Sequence, residues 1–269
     1  MRRTVILYFK LIGIQIRSQL EYRVSFLMDV VSTFILNFSY FVALALILER
    51  FGTVAGWTLG DLAFLAGLAE MGFGLMDLVF SGFDPDGFSQ FVRLGKFDQM
   101  LLRPVNISLQ VFGSRFLVRR LGRFVEGCVI FGIGAGLAHI QWTLGKVLYL
   151  PVVLLSIVAG MGALFVVGGT LIFWTVQPVV VVNIVTYGGN ELMSYPITIY
   201  PRWIQGFFTY VIPLVFLNYL PGLYFLNKPG LLDFPPIFSF AAPFAAALML
   251  FLAFQFWRFG LKHYQSTGT

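Results

Sequence analysis

The sequence predicts an all-α fold: a polytopic membrane protein with six transmembrane helices preceded by an amphipathic interfacial helix. Three observations carry that prediction. Of its 269 residues 58% are hydrophobic and only 11% are charged, too few charges to cover a surface that faces water. The apolar residues fall into six long runs separated by shorter polar stretches. The cations are sorted between alternate connections, as expected of a chain that crosses a bilayer repeatedly.

Residues 1–23 place Val5, Phe9, Ile12, Ile16 and Leu20 on one helical face and Arg3, Lys10 and Arg17 on the other. Five cations within these 23 residues are costly in hydrocarbon, so the segment reads as a helix lying in the membrane surface. It lacks the uncharged core and small-residue cleavage site of a signal peptide and is expected to be retained. Residues 25–48 form the first span, long enough to cover about 30 Å of hydrocarbon at about 1.5 Å per residue. Trp57 suits the interface ahead of the second span, residues 59–80.

The turn signal FDPDG at residues 83–87 then releases the chain into a charged cytoplasmic segment, residues 90–105. There Phe91, Leu94 and Phe97 predict a short amphipathic helix that ends where Arg103-Pro104 disfavours more helix. Residues 107–123 carry Arg115, Arg119, Arg120 and Arg123 and lead into the third span, 124–138. The fourth span, 147–173, contains Gly160, Gly162, Gly168 and Gly169, which let helices approach closely. Residues 174–202 mix Pro, Gly-Gly, Asn and Glu with apolar residues and read as a partly irregular connector on the cytoplasmic side. The fifth span, 203–225, is interrupted by Pro213 and Pro221; a turn-rich loop follows, and the sixth span, 237–257, ends in a basic tail.

With the amino terminus inside, 15 of the 18 Lys and Arg residues lie on the cytoplasmic side and 3 outside, which predicts both termini in the cytoplasm. A formal charge of +6 would point to nucleic acid in a soluble protein; here its placement accounts for it, and no nucleic-acid partner is expected. The single cysteine, Cys128, and two distant histidines, His139 and His263, exclude an intrachain disulfide and argue against a metal site. No phosphate loop, HExxH or Gly-x-Ser-x-Gly motif is present, so no catalytic residue is assigned.

Two features within the spans invite a functional reading. Glu70 and Asp77 lie seven residues apart on one helix face, and each ionised carboxylate at mid-membrane costs about 2.5 to 3.5 kcal/mol on insertion scales. They serve either as a proton relay or as partners of other helices or an aqueous vestibule, and no matching cation is evident within the spans. Glu126 is expected to pair with Arg123 or a nearby cation. Pro213 and Pro221 free the carbonyls of Thr209 and Leu217, one of which Asn218 is placed to satisfy; a gate and a static kink both fit.

The runs GKFDQMLLRPV (95–105), IFWTVQPVVVVNIVTYGGNELMSYPITIYPRWI (172–204) and VIPLVFLNYLPGLYFL (211–226), in this order among six spans, resemble permease subunits of ABC-2-type ATP-binding-cassette transporters. The resemblance covers nearly the whole chain, and it departs after FWTV, where Gln177-Pro178 and four valines replace an expected charged stretch. It implies one transmembrane domain over 1–269 that works with a second permease, identical or related, and with a separate cytoplasmic ATPase dimer that binds ATP and Mg; the chain itself holds no cofactor. It further implies an exporter in the bacterial inner membrane, in contact with lipid. Gly95, Lys96, Asp98, Leu101, Leu102, Arg103 and Pro104 match the family's coupling helix, residues 1–23 its connecting helix, and the segment around Pro213 to Tyr224 its outer gate. The alternative from a different class is a proton- or ion-coupled carrier that uses Glu70 and Asp77.

Overall fold

The computed structural model describes residues 55–178, 180–229 and 234–266, together with positions 13, 15–17, 27–28, 31–32, 34–35, 38–39, 41–43, 45–46, 50 and 52–53. The expected surface helix over 1–23 therefore lies largely outside the described residues, while in the expected first span over 25–48 the described positions are helical and the others lie outside the description. Among the described residues the fold is all-α, with no strand.

Helix α1, Leu59–Val79, opens with a capping box in which the Thr58 hydroxyl and the Asp61 carboxylate each serve the other's backbone N–H. Two short helices follow, α2 (Pro85–Arg93) and α3 (Lys96–Leu101), then α4 (Ile107–Phe112). Helix α5, Leu121–Leu137, returns antiparallel to α1, and α6, Leu144–Thr175, runs the full length of the bundle. After α7 (Val180–Met193) come a short helix α8 (Arg202–Gly206) that continues as a π-turn over Phe207–Val211, α9 (Leu214–Leu217) and α10 (Tyr219–Leu226). Helix α11, Ala242–His263, closes the bundle. By length and composition α1, α6 and α11 are apolar enough to cross a membrane. The count reaches four if residues 202–211 and 214–226, bent by 73°, form one span. Helices α5 and α7, with 17 and 14 residues, are shorter.

Glycine brings α1 and α5 together. Gly60, Gly67 and Gly74 repeat every seven residues on α1, and Gly127 and Gly134 do so on α5, so each set keeps one face. A Cβ at Gly67 would overlap the backbone of Phe131, one at Gly127 the backbone of Met71, and one at Gly134 the backbone of Phe64. Backbones approach this closely only where side chains are missing. On the other side of α1, Phe73 and Met76 join the main core with Ile157, Met161 and Phe165 of α6 and Trp257 of α11, all buried.

The bundle has two chemically distinct ends. Trp57, Asp61 and Lys228 meet at one: Lys228 Nζ lies 2.8 Å from Asp61 Oδ2 and 4.8 Å from the centre of the Trp57 ring. At the same end Lys146 Nζ donates to the Phe225 carbonyl at 2.8 Å, capping α10 where its dipole is negative. The opposite, basic end holds α2, α3, Arg115, Arg120 and the end of α11.

Two expectations change here. Within the connector over 174–202, residues 180–193 form the regular helix α7, and the described stretches on either side of it are irregular or short turns. Asn183 of α7 reaches Asp86 at the basic end, and the Met193 carbonyl accepts from Asn218 beside Leu65, so α7 runs through the bundle. The interrupted fifth span over 203–225 does not run the length of the bundle. Its elbow, with Ile212, Leu214 and Leu217, enters the main core, while Ile204 on one side and Leu220 and Leu223 on the other pack in the cluster around Trp57. Arg202, expected at the basic end, lies between Tyr200 and Ile204 of that cluster and so belongs to the other half. The hydropathy of 203–225 suits a span, but Pro213 makes the chain turn at its middle.

Gly67→Val or Gly134→Val is expected to force α1 and α5 apart and destabilise the bundle by about 1 to 3 kcal/mol or more. Gly132→Ala, where a Cβ would meet nothing within 4 Å, is expected to leave stability undiminished. The check is the apparent melting temperature of the purified protein in detergent.

Candidate coupling surface and its ion-pair network

The chain between α1 and α4 forms an elbow rather than one helix. Leu94 ends α2, Gly95 adopts the left-handed conformation at φ 66°, and α3 starts in a new direction. The break separates the residues expected to share one face: Phe97 is fully buried while Leu94 is 66% exposed. Phe97 packs against Phe88, Phe173, Trp257 and Tyr264, with ring centroids 5.0 to 6.3 Å apart. The elbow is thus bolted to the ends of α6 and α11. Trp257 Nε1 adds a hydrogen bond of 3.0 Å to Ser108 Oγ.

Of the residues matched to a coupling helix, Lys96, Leu101, Leu102, Arg103 and Pro104 all face outward, Leu102 at 86% exposure. Val105 N–H donates to the Arg103 carbonyl across Pro104, a tight turn that ends the segment. Asp98 faces the other way, accepting from the hydroxyls of Tyr264 and Ser266 at 3.1 Å each. Burial and the Asp98 carboxylate push the Tyr264 phenol up to about 12, so it remains the neutral donor at ordinary pH. Gln15 joins this end from the amino-terminal segment: its amide donates to the Gly113 carbonyl at 2.9 Å and accepts from Phe116 N–H at 2.5 Å.

Behind the elbow lies a chain of ion pairs. Arg123 Nε and Nη2 hold the two oxygens of Glu70 at 2.5 and 3.1 Å, and Asn190 Nδ2 donates to Glu70 Oε1 at 2.7 Å. The Arg123 guanidinium also covers the Phe73 ring at 4.2 Å, and it lies within the field of Glu126. Arg120 pairs with Asp77 through Nη1 and with Asp84 through Nη2 at 3.2 Å; Arg115 reaches the same Asp84 oxygen at 3.3 Å. Burial outweighs the attraction of Arg115 and holds the Asp84 carboxyl above the usual carboxylate range.

The sequence shows no cation within the spans to match Glu70 and Asp77, yet Arg123 and Arg120, from the start of α5, are those partners. The close approach of α1 and α5 brings them into register. A bidentate guanidinium on Glu70 and a second guanidinium on Asp77 tie both carboxylates into the packing of α1 against α5.

The elbow between α8 and α10 also differs from expectation. Ile212 N–H donates to the Phe207 carbonyl at 3.0 Å, so the strain of Pro213 is taken up by one π-turn. Asn218 does not repair the carbonyls of Thr209 or Leu217. Fully buried, it donates to the carbonyls of Leu65 at 3.0 Å and Met193 at 2.7 Å, tying the elbow to α1 and α7. Pro221 is the third residue of α10, in the first turn, where a helix has no use for the missing N–H. Asn190 and Tyr264 belong to these networks and were not legible as such: each needs a partner more than 100 residues away.

Arg123→Ala is expected to cost about 3 to 5 kcal/mol by removing the ion partner of Glu70, and Glu70→Leu with Arg123→Leu to recover most of that loss. A thermal-unfolding double-mutant cycle checks both.

Comparison with curated proteins and with solved structures finds no match. A family model described as ABC-2 family transporter protein matches residues 34–268, across both the elbow and the ion-pair network. The chain belongs to the ABC-2 family, whose members are transmembrane permease components of ABC transporters.

Proposed function

We propose that this chain is the permease subunit of an ABC exporter, paired with a second permease, identical or related, and driven through residues 90–105 by a separate cytoplasmic ATPase dimer that binds ATP and Mg. The observation that carries this reading is the α2–Gly95–α3 elbow. Its outer surface presents Leu94, Leu101 and Leu102, exposed by 66%, 41% and 86%, beside Lys96 and Arg103. Apolar side chains grouped this way at the charged end of a membrane protein suit burial in a partner's cleft. Its inner surface is Phe97, locked among Phe173, Trp257 and Tyr264. A push on the elbow would therefore reach α6 and α11 as rigid bodies.

In this reading residues 25–48, α1, α5, α6, α7 and α11 are the six crossings, and the Pro213 elbow enters and leaves on one side. The basic end, with Arg93, Lys96, Arg103, Arg115, Arg258 and Lys262, faces the cytoplasm of a bacterial inner membrane, and the termini share that side. Helix α7 is short for a crossing and gains length from the turn over Ile197–Ile199. The ion pairs of Glu70 and Asp77 serve the packing of α1, α5 and α7.

Leu102→Asp combined with Arg103→Glu is expected to leave the permease inserted and monodisperse, and to reduce co-purification of its ATPase and ATP-driven transport by at least about tenfold. Undiminished co-purification and transport would remove the elbow from the coupling role.

A further inference from the structure

We propose that Glu191, flanked by Tyr195 and Tyr200, recognises a positively charged group on the cargo, so that the transporter selects lipophilic cations. The inference rests on the permease reading and adds the chemical class of what is moved.

The depth of Glu191 follows from its neighbour. Asn190 bonds Glu70, the twelfth of the 21 residues of α1, so Glu191 stands near the middle of the bundle's length. Its side chain turns the other way from that of Asn190, which is fully buried, and Glu191 is exposed. The helix face around it is apolar, with Val181 64% and Ile184 62% exposed and Gly188 open to space.

Each of the other carboxylates along α1 has a cation: Asp61 has Lys228, Glu70 has Arg123 and Asp77 has Arg120. The Glu191 side chain makes no hydrogen bond or ion pair among the described residues. The charges of Glu70 and Arg123 that act on it are of opposite sign and bound to each other, so the Arg123 guanidinium is already taken. An exposed carboxylate at this depth is costly against lipid, which places it on a water-lined path or opposite a counter-charge. The phenols of Tyr195 and Tyr200 both lie within its field. An anion beside aromatic rings, on an apolar face, is the chemistry that holds an organic cation: charge attraction strengthened by the low dielectric, ring faces for the cation, and apolar surface for the rest of the molecule.

The test uses the purified permease in nanodiscs of zwitterionic lipid and two probes of equal shape and opposite charge, tetraphenylphosphonium and tetraphenylborate, followed by equilibrium dialysis. The wild-type protein is expected to bind the phosphonium saturably and not the borate. Glu191→Gln should weaken phosphonium binding by about tenfold or more, Glu191→Asp should largely retain it, and Glu191→Lys should reverse the preference. Wild-type protein that binds neither ion saturably, or a Glu191→Gln variant that binds the phosphonium as tightly as wild type, overturns the proposal. Binding needs no ATPase, so ATP-driven transport of the phosphonium by the assembled transporter tests the permease reading separately. Saturable binding lost in Glu191→Gln, with no ATP-driven transport, would keep the recognition site and sink the permease reading.

Discussion

Where Gly67 meets the backbone of Phe131, and Gly134 the backbone of Phe64, two helices of opposite direction lie closer than any pair of side chains would permit. This contact sets the register between α1 and α5, and the ionic structure of the protein depends on that register. Arg123 reaches Glu70 with two bonds only because its own helix is held against α1. Arg120, three residues earlier, then falls beside Asp77 and Asp84. Widening the pair by the thickness of a methyl group would pull these charges off their ion partners in an apolar interior, where an unpaired ion costs more than the pair contributes.

From this spine the structure divides its labour by end. The basic end is rigid because aromatic rings from the ends of α6 and α11 enclose Phe97, and because Asp98 holds the tail through Tyr264 and Ser266. Leu102 and Arg103 project from that rigid base, which is what a surface that receives a mechanical push requires. The other end is organised around a turn. Pro213 breaks the helix, a π-turn absorbs the mismatch, and Asn218 donates to carbonyls of two other elements in place of its own. A polar residue buried in that position fixes where the elbow sits in the bundle.

Much of this was legible from the residues in order. The all-α class, the membrane, the boundaries of α1 and α6 to within three residues, the charged segment between α1 and α5, and the family resemblance all follow from composition, hydropathy and local motif, whereas α11 lies five to six residues further along than the expected sixth span. Local pattern failed where the same residues suit two placements. The segment with Pro178, Gly188-Gly189, Asn190 and Glu191 reads as a connector because its polar residues interrupt the hydropathy. In the fold Asn190 donates to Glu70, and the helix runs on. Residues 203–225 are apolar enough to span, and only the packing of Ile204 and Leu223 in one cluster reveals the return.

The sequence by itself determined what must leave water and which residues carry charge, because burial of apolar surface and the sorting of cations are properties of composition and order. It also determined where helices can break, since proline and left-handed glycine act on their own backbone. Only the tertiary structure decided which charge meets which, that Arg123 serves Glu70 and that Glu191 is left facing outward. Ion pairing depends on distance to within an ångström or so, and residues 53 positions apart acquire such a distance only when the helices carrying them have packed.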